Sequence, residues 1–240
     1  MFVPATPLKD TNISSFPVKA LSLFVAALLT GGLTGCEPGS TRGTAYAGTE
    51  AKAGDAAAAL AQLETIPVKG RAPKTGYSRG EFGPAWADVD RNGCDTRNDI
   101  LARDLVEETF KDGTHNCVVL TGTLPDKYTG KTIAFIRGAE TSSEVQIDHL
   151  VPLSLAWQTG AQQISEEERK QFANDPLNLM AADGPANMSK SGKDAATWLP
   201  SNKSFRCEYV ARQTAVKAKY KLWVTKPEHD AIAGILNTCQ

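Results

Sequence analysis

The segment Val145-Gln-Ile-Asp-His-Leu-Val-Pro152 decides how the rest of the sequence is interpreted. Val145–Leu150 has the apolar and β-branched residues of a short β-strand, and Pro152 ends it because proline has no N–H for a strand ladder. Its last polar residues, Asp148 and His149, are of the types that bind metal ions and transfer protons. Neighbouring strand residues point to opposite faces, so we expect an irregular strand end if both side chains act on one group.

The segments on either side of this strand predict a mixed α+β domain. Apolar residues at near-helical spacing and runs of β-branched residues mark the elements, and glycines and prolines separate them. The predicted helices are Asn98–Phe110, Leu153–Thr159, Glu166–Ala173, Glu208–Leu222 and Glu228–Thr238. Besides Val145–Leu150, the predicted strands are Cys117–Thr121 and Lys131–Ile136.

The composition is that of an ordinary globular protein. The chain has 240 residues, of which 41% are hydrophobic and 22% charged, and its 26 Lys and Arg residues nearly balance its 27 Asp and Glu residues. Extended disorder, a collagen-like repeat and several membrane spans are thereby excluded. The net charge of -1 also excludes a strongly basic nucleic-acid-binding protein, so any such binding must come from a local patch.

The N-terminal region predicts export. Ala20–Leu29 is an apolar run that is too short to span a bilayer comfortably. It is followed by Leu33-Thr-Gly-Cys36, which resembles a bacterial lipoprotein box. We therefore expect residues 1–35 to be a signal peptide and Cys36 to carry a lipid anchor, the chain's one contact with a membrane. The alternative is an ordinary secretory signal with a chance cysteine, which also gives an exported protein.

Residues 36–75 predict a flexible tether between this anchor and the folded domain. The segment is rich in Ala, Gly, Thr and Lys and has no sustained apolar periodicity. Ala56–Leu63 can form a short helix because alanine favours helix, but few large apolar residues are present to build a core. The folded domain is therefore expected over residues 76–240, a length that supports one core.

The cysteines predict two disulfides. Once Cys36 is set aside, an even number remains in an oxidising compartment, and three connectivities are possible. Sequential pairing is favoured because it closes loops of moderate size, each worth about 3 kcal/mol in the chain-entropy model. No C-x-x-C pair is present, so a structural zinc site is not expected. The favoured pairs are Cys94–Cys117 and Cys207–Cys239.

Polar residues beyond the Asp148-His149 pair give the strongest indication of function. Asn178-Leu179 follows after an intervening segment, and Asn187 and Lys190 come after it in turn. This order resembles the HNH endonuclease family, whose ββα-metal motif has Asp-His, then Asn-Leu, then a metal-binding His or Asn followed by Lys. Further motifs resemble the exported branch of that family, related to the C-terminal domain of GmrSD-type nucleases: Tyr77-Ser-Arg79, Trp86-Ala-Asp88, Gly93–Asn98, Phe172–Asp175 and Trp198-Leu-Pro200.

The resemblance implies a ββα-metal core with additional helices that hydrolyses phosphodiester bonds. His149 would be the general base, since an imidazole pKa of about 6.5 leaves it neutral near neutral pH. Asp148 and Asn187 would hold a divalent metal ion, and Asn178 would orient the loop of His149 by hydrogen bonds. In many relatives the last ligand is histidine, whereas the amide oxygen of Asn187 favours Mg²⁺ or Mn²⁺ over Zn²⁺.

A second candidate ion site precedes the first predicted helix. Alternating oxygen donors followed by a glycine are similar to a calcium-binding loop, in which glycine permits the sharp turn. The candidate Ca²⁺ ligands are Asp88, Asp90, Asn92 and, at the twelfth position, Asp99. The alternative is a polar turn that caps the following helix.

Basic residues are concentrated after the Asn178 motif. Between Asn187 and Lys226, nine basic residues outnumber two acidic ones, which leaves a local charge of +7. This excess predicts a track for nucleic-acid phosphates or, alternatively, a solvated helix face. The expected contacts to nucleic acid are Lys190, Lys193 and Arg137, which precedes Gly138. Arg79, Arg91 and Arg97 are further candidates for phosphate contacts or for structural ion pairs.

Together these patterns predict an exported, metal-dependent endonuclease of the HNH type. The substrate would be DNA, with RNA as a second candidate, and no segment is expected to recognise particular bases. No obligate protein partner is evident. The competing hypothesis is a non-catalytic surface-binding lipoprotein with a degenerate nuclease fold that retains the calcium loop, and Asn187 in place of histidine leaves room for it.

Overall fold

The structure is a computed structural model that describes residues 53–138 and 142–239. The predicted signal peptide, Cys36 and the first part of the predicted tether lie outside the described residues. Within the described ranges, no helix combines the length and the apolar character needed to cross a membrane.

Helices and strands are mixed along the chain, as the predicted α+β class requires. The helices are α1 (Ala53–Leu63), α2 (Thr96–Asp104), α3 (Leu153–Gln158), α4 (Glu166–Ala173), α5 (Gly184–Lys190), α6 (Arg206–Lys219) and α7 (Lys226–Leu236). The strands are β1 (Val106–Phe110), β2 (Val119–Pro125), β3 (Thr132–Ile136), β4 (Val145–His149) and β5 (Leu179–Asp183). Short 3-10 helices lie at Arg79–Phe82, Ala161–Gln163 and Lys203–Phe205.

The strands form two antiparallel sheets. In the first sheet, β2 lies between β1 and β3. In the second, β4 pairs with β5 in a regular register that runs from Val145 opposite Asp183 to His149 opposite Leu179. Helices α3 and α4 are inserted between these two strands, and α5 follows β5 directly. The order β4, β5, α5 is therefore that of a ββα unit.

The β4–β5 sheet separates two hydrophobic clusters because side chains alternate between its faces. Ile147 and Ala181 pack on one face with residues of α2 and β2. Met180 and Ala182 pack on the other face with residues of α1, α6 and α7. The strand pair that carries Asp148 and His149 is thus supported from both sides.

Residues 53–75 differ from the predicted tether. Helix α1 buries Ala56, Ala59 and Leu63 against α6 and α7, and Ile66 is also buried. The prediction of a tether is wrong for this segment because small alanines let two helices approach closely, so few large side chains are needed to join a core formed elsewhere. The folded domain therefore includes residues well before Gly76.

The predicted helix over Asn98–Phe110 is two elements in the structure. Helix α2 ends at Asp104, and Leu105 has extended backbone with ψ 155°. Val106 and Thr109 then pair with β2. The prediction is wrong beyond Asp104 because an apolar spacing that fits a helix over a short segment also fits a strand.

Both predicted disulfides are confirmed. Cys94–Cys117 has a Cα–Cα distance of 5.0 Å and ties the start of α2 to the approach of β2. Cys207–Cys239 has a Cα–Cα distance of 5.9 Å and ties α6 to the end of α7. Helix α4 has its predicted bounds, and the other predicted elements are shifted by a few residues. Strands β1 and β5 and helix α5 are not among the predicted strands and helices.

Candidate functional site

A cleft of about 700 Å³ runs along the edge of β4 that does not pair with β5. Four consecutive residues, Gln146–His149, line it, although neighbours on a strand point to opposite faces. A cleft along a strand edge is open to both faces of the sheet. Asp148 and His149 therefore both reach it without the irregular strand end that was expected, since β4 pairs regularly through His149.

His149 is held in one orientation. Its ring lies 6.3 Å from that of Trp86, with an interplanar angle of 15°. Its Nε2 lies 2.9 Å from the carbonyl oxygen of Ala173. Because a carbonyl oxygen only accepts, Nε2 carries the proton and the neutral ring has its lone pair on Nδ1. No described residue forms a hydrogen bond with Nδ1, so this nitrogen is available as an acceptor.

The surroundings of His149 favour its neutral form. Burial lowers the pKa of His149 to about 4, and the positive charges of Arg79 and Lys190 act in the same direction. The Ala173 carbonyl and Asp148 oppose this shift. A neutral imidazole can accept a proton, as a general base must. A bound phosphate would raise the pKa because a nearby anion favours the protonated ring.

Asn178 braces the loop that follows His149. It is fully buried, and its Oδ1 accepts a hydrogen bond from the N–H of Val151 at 2.8 Å. Its backbone oxygen accepts from the N–H of Leu150 at 2.7 Å. Asn178 is thus bonded to two residues of that loop, and its role in catalysis stays a prediction.

Two arginines hold the segment that carries Asn178. Arg212 donates to the carbonyls of Leu177 at 3.0 Å and Leu179 at 3.1 Å. Arg103 donates to the carbonyls of Pro176 at 2.8 Å and Leu179 at 2.8 Å. A guanidinium has five donors and can gather several carbonyls at once. The sequence did not indicate this role because both arginines are far from Asn178 along the chain.

Asp148 belongs to a buried polar network. Its Oδ2 accepts from the hydroxyl of Tyr128 at 2.5 Å and lies 2.9 Å from Nζ of Lys190. Lys190 also donates to the carbonyl oxygen of His149 at 2.7 Å. Burial and the charge of Asp148 raise the pKa of Tyr128 well above its ordinary value, so Tyr128 stays a donor. Tyr128 was missed because an aromatic residue in a predicted turn gives no signal of such a role.

Asn187 lies beside this network on α5. Its Nδ2 donates to Oε1 of Gln146 at 2.9 Å. Lys190, three residues further along α5, contacts Asp148. Gln146 and Asp148 share one face of β4 because they are two residues apart. Helix α5 is therefore joined to β4 by two successive polar contacts. Asn187 lines the cleft, and no described residue donates to its Oδ1.

The donors present fit a divalent ion through few protein ligands. Among the described residues, no group of three His, Cys, Asp or Glu side chains is placed to hold a metal. Oδ1 of Asn187 is open, whereas both oxygens of Asp148 accept from Lys190 or Tyr128. A carboxylate has about four lone-pair positions, so Asp148 retains one for an ion. Such a sparse set suits Mg²⁺, which usually keeps several waters.

Two lysines of the predicted phosphate track are buried, whereas five others are exposed: Lys193, Lys203, Lys219, Lys221 and Lys226. Lys190 has 0% exposure and binds Asp148, which corrects its expected contact with nucleic acid. Lys217 is buried against Glu228. Arg137 is also engaged, since its guanidinium binds the Val119 carbonyl and Asn98. These side chains were misassigned because sequence position does not distinguish a buried cation from a solvated one. Lys193 is exposed, and its contact with nucleic acid stays a prediction.

The cations that line the cleft come instead from the chain before and within α2. They are Lys74, Arg79 and Arg97. Arg79 and Arg97 form no ion pair with any other described residue. Burial lowers the pKa of Arg97, and the charge of Arg137 adds to this effect. Asp95 opposes this shift without forming an ion pair with Arg97. A cleft that holds guanidinium groups without ion-pair partners favours an anionic ligand.

The predicted calcium ligands do converge. The amide of Asn92 donates to Asp90 at 3.1 Å and to Asp99 at 3.1 Å. The backbone N–H of Gly93 donates to Asp88 at 3.0 Å. Burial raises the pKa of Asp99, and the charges of Asp90 and Asp88 add to this effect. These bonds also suit a self-contained polar turn before α2, so calcium at this loop stays a prediction.

Comparison with known proteins gives the family of the chain. Residues 95–235 match the family described as GmrSD restriction endonucleases, C-terminal domain. The chain is also 35% identical over 186 residues to an uncharacterized secreted protein of Arthroderma benhamiae, an alignment that covers 77% of this chain and 86% of that protein. No solved structure matches the chain. The matched residues include both strands and the helix of the ββα unit, and the chain belongs to the family of GmrSD restriction endonuclease C-terminal domains.

Proposed function

We propose that this protein is an exported, metal-dependent endonuclease of the HNH type that hydrolyses phosphodiester bonds. Membership of the GmrSD C-terminal domain family supports a nuclease-related function. The observation that carries the proposal is the orientation of His149. Its Nε2–H is bonded to Ala173, and its neutral ring has an unbonded Nδ1 in the wall of a cleft that bears three cations.

The geometry supports a direct role for His149 as general base. Nδ1 takes a proton from a water molecule, the oxygen of that water bonds to phosphorus, and the bond from phosphorus to the leaving sugar oxygen breaks. The leaving oxygen takes a proton from solvent. The imidazolium that forms keeps its hydrogen bond from Nε2 to Ala173, and Asp148 stabilises its charge. Asn178 acts by holding the loop that follows His149.

We propose Asn187 and Asp148 as the protein ligands of a divalent ion, Mg²⁺ or Mn²⁺. When bound, such an ion stabilises negative charge on the phosphate and the leaving oxygen. Asn187 contributes an open amide oxygen. Asp148 contributes its remaining lone pair, and its contacts with Lys190 and Tyr128 fix the carboxylate in place.

Arg79 and Arg97 are proposed to bind substrate phosphates. Both line the cleft, and a guanidinium can donate two parallel hydrogen bonds to phosphate oxygens. Phosphate contacts position a nucleic acid without reading its sequence, which agrees with little sequence specificity. DNA is the proposed substrate and RNA the second candidate, because a phosphodiester is common to both.

Export is supported by two disulfides, which persist in oxidising compartments, and by the relative described as secreted. Anchoring through a lipid on Cys36 is the proposed mode of membrane contact.

The direct test is cleavage of supercoiled plasmid and of single-stranded RNA by the oxidised full chain, with Mg²⁺, Mn²⁺, Ca²⁺ or Zn²⁺ in separate reactions. The proposal expects nicked and linear DNA with Mg²⁺ or Mn²⁺ and no cleavage with EDTA. A folded protein that cuts neither polymer with any ion would favour the competing hypothesis, a non-catalytic binding lipoprotein.

Asn187→Ala tests the metal ligand, with Asn237→Ala as the matched control because Asn237 is exposed at the end of α7. Asn187→Ala should raise the half-saturating metal concentration about tenfold or more. Asn237→Ala should leave it unchanged. Equal metal requirements in both variants would remove Asn187 from the ligand set.

A further inference from the structure

A second cavity of about 260 Å³ adjoins the cleft. Four residues line both the cleft and the second cavity: Arg79, Trp86, His149 and Leu153. The second cavity is therefore adjacent to His149, the proposed general base. A group that fills it would therefore be bound next to the reacting phosphate.

The lining of the second cavity is mainly apolar. Its volume of about 260 Å³ is just below the range of about 300–1,000 Å³ that holds drug-sized ligands, which suits a single flat ring system. Arg79 is the one charged residue in its wall, since His149 is neutral. The apolar contribution comes from Phe82, Pro84, Ala85, Trp86, Leu153 and Ala173.

Trp86 is held there in a strained conformation. Its φ of 58° is in the left-handed region, which is unusual for a bulky residue. The flanking backbone is fixed by Thr96, whose N–H donates to the Trp86 carbonyl at 3.3 Å and whose hydroxyl donates to the Ala87 carbonyl at 2.5 Å. Strain of this kind persists only where surrounding contacts impose it, and it is concentrated at functional sites.

We propose that the second cavity binds one unpaired nucleobase of the substrate, next to the scissile phosphate, with Trp86 as its stacking surface. The inference rests on the proposed function. A phosphate at His149 has a nucleobase within one nucleotide on either side, and Arg79 extends from the phosphate cleft to the second cavity. An aromatic face binds any base, so such a site is compatible with little sequence specificity.

A consequence is a preference for single strands. In a duplex each base is already stacked and paired, and placing one in the cavity would require extrusion at a cost in free energy. The protein should therefore cleave a single-stranded oligonucleotide with a lower KM than the same sequence in a duplex.

The test is an abasic scan of a single-stranded oligonucleotide that has one cleavable phosphodiester among non-cleavable linkages. The base is removed at one position at a time, and KM and kcat are measured for each. We expect one position beside the cleavable bond to raise KM by about 5- to 150-fold, the loss that one stacked base contributes. Abasic sites elsewhere serve as internal controls.

Two substitutions separate stacking from simple filling of space. Trp86→Phe keeps an aromatic face and should keep the sensitivity to that abasic position. Trp86→Leu keeps apolar volume without a π face and should cleave intact and abasic oligonucleotides with similar KM. Thermal unfolding of both variants verifies that each is folded before its kinetics are compared.

The possible outcomes distinguish failure of the nucleobase site from failure of the proposed nuclease activity. Cleavage by the parent protein with equal KM at every abasic position would overturn the nucleobase site while leaving the nuclease proposal intact. Sensitivity that persists in Trp86→Leu would show that the base is bound without stacking on Trp86, and would overturn the role proposed for that side chain. Absence of any cleavage by the parent would overturn the proposed function itself.

Discussion

The ammonium of Lys190 lies in the interior without exposed surface, between the carboxylate of Asp148 and the carbonyl of His149. Burial lowers the pKa of Lys190, and Asp148 opposes that shift by favouring the charged form. A buried pair of this kind is costly to break because removing one partner leaves the other charge uncompensated. Lys190 thus fixes both the carboxylate and the backbone of the proposed catalytic pair.

Lys190→Met should lower the free energy of unfolding by about 3–5 kcal/mol, since it leaves Asp148 buried and unpaired. Lys193→Met is the matched control, because Lys193 is exposed and its replacement should change stability by less than about 0.5 kcal/mol. Urea unfolding at neutral pH measures both. Equal stability of the two variants would contradict the buried network.

His149 predicts a pH dependence of stability. Its folded-state pKa of about 4 lies below the unfolded value of about 6.5, so the unfolded chain binds a proton more readily between these values. Stability should therefore fall as the pH is lowered from 6.5 to 4, by about 3 kcal/mol from this group. Comparing the parent with His149→Asn isolates the contribution, and parallel stability curves for the two proteins would rule it out.

At the residue scale, the sequence predicted Asp148, His149, Asn178 and Asn187 as site residues. The first two lie on β4 and Asn187 lies on α5, while Asn178, directly before β5, accepts a hydrogen bond from the loop after β4. Their motif order carries that information. The sequence does not show which side chains are buried. Lys190 was therefore expected on the surface, and the contact of Tyr128 with Asp148 was not predicted. A charged residue is placed inside only by partners from distant segments.

At the scale of elements, local signals determined which predictions held. Helix α4 has its predicted bounds because Ser165 and Glu168 form a capping box at its start. Strand β5 was missed since Leu179–Ala182 is buried on both faces and has no alternation of polar and apolar residues. Helix α1 was underestimated because its contribution depends on α6 and α7, which come later in the chain.

Leu63→Ala tests whether α1 belongs to the core. Leu63 is fully buried, so the substitution should lower the unfolding free energy by about 2–5 kcal/mol. Gln62→Ala, at the exposed neighbouring position, should have little effect. Chemical denaturation of both variants provides the comparison. A Leu63→Ala protein as stable as the parent would restore the tether interpretation for this segment.

At the scale of the whole molecule, the second disulfide stabilises the C-terminal helices away from the cleft. Neither Cys207 nor Cys239 lines the cleft, and their bond joins α6 to the end of α7. The Cys207→Ser, Cys239→Ser double variant should lose about 3 kcal/mol of unfolding free energy. At temperatures where it is folded, its cleavage rate should equal that of the parent. Thermal unfolding and initial cleavage rates test the two halves of this expectation. A lower cleavage rate of the folded variant would show that the C-terminal helices are coupled to the site.

The α+β class, both disulfides and the family were accessible from the sequence, because cysteine parity, periodicity and motif order are properties of the chain itself. The cleft was not, since it forms where β4, α5 and the segment around Arg79 and Trp86 meet. Only the fold shows that the cations beside His149 come from before and within α2, and that those after Asn187 are largely engaged elsewhere.

The other proposals depend on His149 being the neutral general base of a nuclease. The most direct measurement is the single-turnover cleavage rate of His149→Asn at saturating substrate and metal, beside His115→Asn as a matched change at an exposed histidine. A general base at His149 predicts a loss of at least about 100-fold in the cleavage rate of His149→Asn, with substrate binding retained and the control unchanged. Cleavage by a folded His149→Asn protein at the parent rate would contradict it.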